Sequence, residues 1–186
     1  DATTHVKMAC GDPTAAFRVA ILDPDLTLSQ PASVTATSGF DALAHAVETA
    51  VTTRRTALSD CFARESWRLL NAHYETVLDH PDDVDARAAM QLGAFYAGLA
   101  IEQSMLGAAH ACANPLTARY QVTHGVALAI VLPHVVRWNG IEAAPIYSRL
   151  LGDPPNPDGD DAARRLAARL RHLADRAGLP SQLSTE

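Results

Sequence analysis

A mainly α-helical domain with a short β lead-in is the fold that the sequence predicts. Three observations carry this. After Pro31 the chain turns to Ala- and Leu-rich segments whose apolar residues recur at helical spacing. Clusters of Gly, Pro and Asp divide those segments from one another. Before Pro31 the apolar runs are short and β-like, with turn residues at their ends.

The lead-in holds two such runs, His5-Val-Lys-Met-Ala-Cys10 and Phe17-Arg-Val-Ala-Ile-Leu22, separated by Gly11-Asp-Pro13 and closed by Asp23-Pro24. Helices are predicted over residues 38–52, 57–79, 82–104, 107–113, 123–138, 141–151 and 159–177. Ser38 can cap the first, Thr56 or Ser59 the second, and Asp82 and Asp83 put carboxylates at the positive end of the third. Pro133 is expected to kink or end the fifth, because it removes a donor and collides with the preceding turn. Residues 152–159 read as a loop. The division expected is therefore 1–30 as a lead-in and 31–186 as a helical domain. The chain does not begin with Met and opens inside a strand-like run, so further residues are expected upstream.

The composition is that of an ordinary globular domain, 48% hydrophobic and 19% charged. A net charge of -6 with scattered Lys and Arg leaves no basic stripe to neutralise phosphates, so nucleic acid is not an expected partner. No apolar run reaches the roughly 18 residues that span a bilayer, so no membrane is expected either. Cys10, Cys61 and Cys112 are odd in number and far apart, which reads as reduced, buried thiols in a cytoplasmic protein.

The chemistry is carried by an acid and three histidines. Asp41 and His45 lie four apart in Gly39-Phe-Asp-Ala-Leu-Ala-His45, so one turn of helix puts carboxylate and imidazole on one face. A carboxylate on so apolar a helix is tolerated mainly where a cation or strong donors meet it. His110, in Met105-Leu-Gly-Ala-Ala-His-Ala-Cys-Ala113, has no charged neighbour. His124 opens the apolar stretch Thr123-His-Gly-Val-Ala-Leu-Ala-Ile130. Leaving such an imidazole buried without a partner costs about 1–3 kcal/mol, so something must satisfy it. One divalent ion held by Asp41, His45, His110 and His124 would do so, with net positive charge and an open position for a substrate. His5, His73, His80, His134 and His172 read as packing, capping or surface residues.

At these residues the chain resembles the iron-containing, or group III, alcohol dehydrogenases. The resemblance is carried by Ala20-Ile-Leu-Asp-Pro-Asp-Leu-Thr27, Ala36-Thr-Ser-Gly-Phe-Asp-Ala-Leu-Ala-His-Ala-Val-Glu48, Gly107-Ala-Ala-His110 and the stretch from His124 to Asn139, in family order. It implies the helical metal-binding domain of a dehydroquinate synthase-like fold over 31–186, with 1–30 as the tail of an amino-terminal α/β cofactor domain. It implies that Asp41, His45, His110 and His124 bind iron(II) or zinc. It also implies an NAD- or NADP-dependent oxidoreductase that interconverts a primary or secondary alcohol with its aldehyde or ketone, the metal polarising the substrate oxygen.

The sequence contains no Gly-x-Gly, so cofactor-binding residues cannot be named, and the isolated chain is expected not to turn over. Many relatives carry a further His four residues after the first of the later ligands, where this chain has Asn114. An amide can orient a substrate but cannot relay a proton near neutral pH, so Asn114 is either substrate-adjacent or simply a helix end before Pro115. Two other readings stay open. A metal-dependent hydrolase or lyase would need a nearby base, for which Glu48 is the nearest candidate unless it is a solvated helix residue. In a non-catalytic helical module the four residues would not converge. A homo-oligomer is also left open.

Overall fold

Helix α1, Ala32–Val51, is the element around which the rest is built. It packs against α2 (Ala57–Asp79), α3 (Val84–Glu102), α4 (Ala108–Tyr120) and α5 (His124–Leu151). Helix α6 (Asp160–Arg176) lies on α5, and a 3-10 turn over Pro24–Thr27 rests on α3. The computed structural model describes residue 14 and residues 17–153 and 160–183, apart from the side chains of Ile141 and Asp160.

The central place of α1 follows from its residues. Ala36, Ala42, Ala44, Ala46 and Ala50 are all buried and small enough to let neighbouring helices approach on several sides. Phe40, Leu43 and Val47 then fill the space between them. Helix α2 buries a stripe of Ala63, Trp67, Leu70, Tyr74 and Val77 at the three- and four-residue spacing of one helix face, and beside it Ser66 and Leu69 are buried as well, Ser66 donating to the Gly93 carbonyl of α3. Its start is fixed by a reciprocal pair: Ser59 N–H donates to Thr56 Oγ1 at 3.0 Å, and Thr56 N–H to Ser59 Oγ at 2.8 Å. Asp83 caps α3 by accepting from Ala86 N–H at 2.9 Å. Both caps are among those the sequence offers.

Four expectations are corrected. Helix α1 begins at Ala32, and Ser38 lies inside it with its hydroxyl donated back to the Val34 carbonyl at 2.6 Å. Hydroxyls that read as a helix start here bond one turn backward instead, as Thr37 also does to Ser33 at 2.9 Å. Pro133 does not kink α5; the break falls at Gly140, whose φ of 41° and ψ of -120° place it in a region open to glycine. One absent donor at Pro133 is tolerated because Leu132, Pro133 and Val136 stay buried on the helix as it runs on. Helix α4 likewise passes Pro115 and ends at Tyr120, with Leu116 packed on the core. Finally, Phe17–Leu22 forms no strand, and Phe17, Val19 and Ile21 are exposed. A strand needs a neighbouring backbone to pair with, and the described residues supply none. The run His5–Cys10 lies outside the described residues.

Cys61 and Cys112 are free thiols, as expected, but both are exposed rather than buried. Cys112 stands two residues from His110, which turns it to the opposite side of α4. Among the described residues no helix is long and apolar enough to cross a membrane.

Candidate metal centre

Three helices meet at Asp41. The acid and His45 are successive residues on one face of α1, and His45 Nε2 lies 3.1 Å from Asp41 Oδ1. His110 comes from the first turn of α4 and places Nε2 at 3.3 Å from the same oxygen. His124 is the first residue of α5, with Nε2 at 3.9 Å from it. The rings fan around this point: His45 and His110 are stacked with centroids 4.8 Å apart, and His110 and His124 are tilted at 5.3 Å.

These separations suit an ion. Two ligand atoms on one metal, at bonds of about 2.0–2.2 Å, lie about 3.3–3.6 Å apart in a tetrahedral site and no more than about 4.4 Å apart in any geometry. All three nitrogen-to-Oδ1 distances fall below that limit. Asp41, His110 and His124 each offer a ligand atom within 4.8 Å of the others', so the ring nitrogens would have to draw in slightly to share an ion, and His45 falls outside this mutual group. His45 joins it through its contact with Asp41. The four residues that sequence reasoning picked from separate segments are thus brought together, which contradicts a module in which they never converge.

The electrostatics favour cation binding. Burial acts to raise the Asp41 carboxyl, but the hydrogen bond with His110 and the nearness of three imidazoles that carry charge in the acid range where Asp41 titrates outweigh it and hold Asp41 below its ordinary value. Burial pushes His45 down to about 4, partly offset by Asp41, so its ring is neutral at pH 7 and has a lone pair to offer. His110 goes the other way: burial would lower it, yet hydrogen bonds to Asp41 and Glu48 raise it.

Glu48, which the sequence left as either a candidate base or a solvated residue, packs directly behind this cluster. It is no solvated helix residue, being 2% exposed. Its Oε2 lies 2.5 Å from His110 Nδ1, and it accepts from the backbone N–H of Ala109 at 2.7 Å and of His110 at 3.2 Å. Three donors from α4 meet its two oxygens and the carboxylate is buried, whereas a base acting on water stands open to solvent. The signal was present: Glu48 follows Asp41 by seven residues and His45 by three, on the same helix face and in as apolar a setting. Thr117, also missed, sets Oγ1 at 3.4 Å from His124 Nδ1.

Asn114 lies one turn beyond His110 inside α4, so it does not end the helix. Its Oδ1 is buried without a hydrogen-bond partner. Among the described residues the other histidines stay apart from the centre: His172 pairs with Glu75 at 2.9 Å, His80 closes α2 through its backbone, and His134 is exposed. His5 lies outside the described residues. A cavity of about 190 Å³ opens on the neighbouring face of α1, lined among others by Thr35, Ser38, Ala42, Arg87 and Gln91, and includes none of the four.

Known proteins share this arrangement of helices. The family model described as Fe-containing alcohol dehydrogenase family, C-terminal, matches residues 35–186. The NAD-dependent methanol dehydrogenase of Bacillus methanolicus is 32% identical over an alignment that covers 97% of this chain and 49% of that protein. A 1,3-propanediol dehydrogenase of Klebsiella pneumoniae is 34% identical over 89% of this chain and 44% of its own length. The crystal structure of a 1,3-propanediol oxidoreductase superposes with a TM-score of 0.79 at 33% identity, covering 85% of this chain and 42% of that one. The chain therefore spans about half the length of the curated relatives it matches. Across that span, with its all-helical described architecture and a family model matched over most of its length, the chain belongs to the iron-containing alcohol dehydrogenase family and corresponds to its carboxy-terminal part.

Proposed function

We propose that Asp41, His45, His110 and His124 hold one divalent ion, iron(II) or zinc, in an NAD- or NADP-dependent oxidoreductase that interconverts an alcohol with its aldehyde or ketone. The observation that supports this most directly is the position of Asp41 Oδ1, within 3.1–3.9 Å of three imidazole Nε2 atoms from three helices. Three nitrogens and one oxygen suit either metal; intrinsic affinity favours zinc and family membership favours iron. When bound, the ion supplies Lewis acidity toward a substrate oxygen.

The chain's own residues do the rest. Asp41 and His45, 29% and 24% exposed, form the open side from which a small alcohol or aldehyde can enter. His110, 6% exposed, forms the closed back. Asn114 stands beside that back wall, and we assign its buried amide to orienting the substrate by hydrogen bonding rather than to relaying a proton. The methanol dehydrogenase is NAD-dependent by name, and we assign the nicotinamide's berth to the half of the relatives that this chain does not cover, with residues 1–30 as its tail. The free thiols of Cys61 and Cys112 fit a reducing compartment, and we place the protein in the cytoplasm.

Two measurements test the reading. Metal content after dialysis should be about one ion per chain and should vanish in an Asp41→Ala, His45→Ala double variant. Full-length protein given NAD(H) or NADP(H) with short alcohols or aldehydes should change the absorbance of the reduced nicotinamide. Equal metal in both chains would remove the site, and silence with every pair of cofactor and substrate would remove the dehydrogenase.

A further inference from the structure

The geometry points to Glu48 as a positioning residue that fixes which nitrogen of His110 faces the metal centre. The proposal rests on the metal reading above and goes beyond it by assigning a role to a carboxylate outside the ligand set.

The argument begins with hydrogen-bonding capacity. An ionised carboxylate only accepts, and a neutral imidazole carries its hydrogen on one nitrogen. Glu48 Oε2 lies 2.5 Å from His110 Nδ1, so once an ion replaces the proton shared with Asp41, the stable arrangement keeps the hydrogen on Nδ1 and gives the Nε2 lone pair to the ion. Nε2 is the atom 3.3 Å from Asp41, the one that faces the centre. The same contact draws charge into the ring and makes Nε2 a stronger ligand.

Glu48 also fixes the backbone that carries the ring. Helix α4 has no side-chain cap of its own, because Gly107 stands at its cap position. Two donors of its first turn, Ala109 N–H and His110 N–H, are taken instead by Glu48 from the neighbouring helix. Gly107 is what lets the carboxylate in: a Cβ there would sit 2.8 Å from Glu48 Oε1. One buried side chain thereby sets the position, rotation and tautomer of a predicted ligand.

The test uses zinc on the full chain, with Glu48→Gln and Gly107→Ala as variants and the Asp41→Ala, His45→Ala double variant as control. An amide has one acceptor oxygen for three donors, so in Glu48→Gln at least one donor must face its NH2 group. Zinc affinity should fall about 10–100-fold in Glu48→Gln, with a smaller fall in Gly107→Ala, which moves the carboxylate without altering it. In the zinc-loaded wild type, nitrogen-15 spectra should show a slowly exchanging Nδ1–H on His110, and Glu48→Gln should lose it. A purely structural role would lower the melting temperature of the metal-free variant and leave affinity and spectrum alone. That outcome, or affinities within about twofold of wild type in both variants, overturns the proposal. Should Glu48→Gln fail to fold, Gly107→Ala decides alone. If wild type binds no more zinc than the double variant, the metal reading itself is what fails.

Discussion

Gly125 lies against the backbone of Thr37 so closely that a Cβ on it would stand 2.1 Å from the Thr37 carbonyl oxygen and 2.7 Å from the carbonyl carbon. The obstacle is main chain of α1, which cannot turn aside as a side chain could. Gly125 directly follows His124, so the close approach of α5 to α1 is also what brings the His124 ring toward Asp41. Gly125→Ala should therefore push the two helices apart, cost on the order of 1–3 kcal/mol of stability, and reduce metal uptake together. Urea denaturation and metal analysis of the same preparation check both halves; unchanged metal content would separate His124 from the helix contact.

The pH dependence of metal uptake should be set by His110. Asp41 is held below the ordinary carboxylate value and His45 stands at about 4, so at pH 7 neither has a proton to give up. His110 is raised, so the ion-free chain keeps a proton there at pH values where an ordinary imidazole has lost it. The incoming ion must displace that proton, so affinity should weaken as pH falls through and just above the usual imidazole range. Calorimetry in buffers of different ionisation heat should show proton release on binding. Affinity that holds steady down to about pH 4 would instead make His45 the controlling group.

The clustering of Asp41, His45, His110 and His124 was legible because charged and imidazole groups stand out on apolar helices, and because four-residue spacing puts Asp41 and His45 on one face. The bounds of α2, α3 and α6 were legible for a related reason, since Thr56 and Asp83 are real caps. What escaped was decided by partners distant in sequence. Glu48 read as either a candidate base or a solvated helix residue until α4 supplied its three donors, 61 and 62 positions away. Ser38 looked like a cap because a hydroxyl that bonds back one turn is indistinguishable, in sequence, from one that bonds forward. The break near residue 140 was legible, since separate helices were expected over 123–138 and 141–151; only the kink expected at Pro133 is missing, because one absent donor does not bend a helix held by packing.

Helices α2 and α6 are tied by an ionic cluster around Glu75, which meets Arg169 at 2.7 Å, His172 at 2.9 Å and Arg176 at 3.6 Å. Burial opposes ionisation of Glu75, but the hydrogen bonds from His172 and Arg169 outweigh it and lower its pKa. With the folded value depressed, the folded chain binds fewer protons than the unfolded one. The contribution is thus present above the ordinary value of 4.5 and lost as pH falls through the depressed folded one. Glu75→Gln should cost about 1 kcal/mol at neutral pH and low salt, less in high salt, and nothing once the wild-type acid is protonated. Thermal melts across pH and salt measure this; an equal cost at every pH would point to packing instead.

Arg87 is 4% exposed, with its Nε–H donated to the Pro81 carbonyl and its Nη1 3.4 Å from Thr27 Oγ1. It anchors both the 3-10 turn and the approach to α3. Arg87→Ala should lower stability by about 2 kcal/mol through lost donors and packing, while zinc affinity of the folded chain stays at the wild-type level. A parallel loss of zinc binding would show that the turn and the metal centre are coupled.

The convergence of α1, α4 and α5 on a single oxygen gives an ion a second office besides chemistry. Bound there, it would rivet three segments that are otherwise joined by packing and by the hydrogen bonds of Glu48 to α4, and because an unfolded chain scatters those groups, occupancy would be linked to folding by mass action. Each tenfold excess of free metal over its dissociation constant would add about 1.4 kcal/mol to the stability of the domain, so the cell's supply of that metal would govern how long the polypeptide survives as well as whether it works.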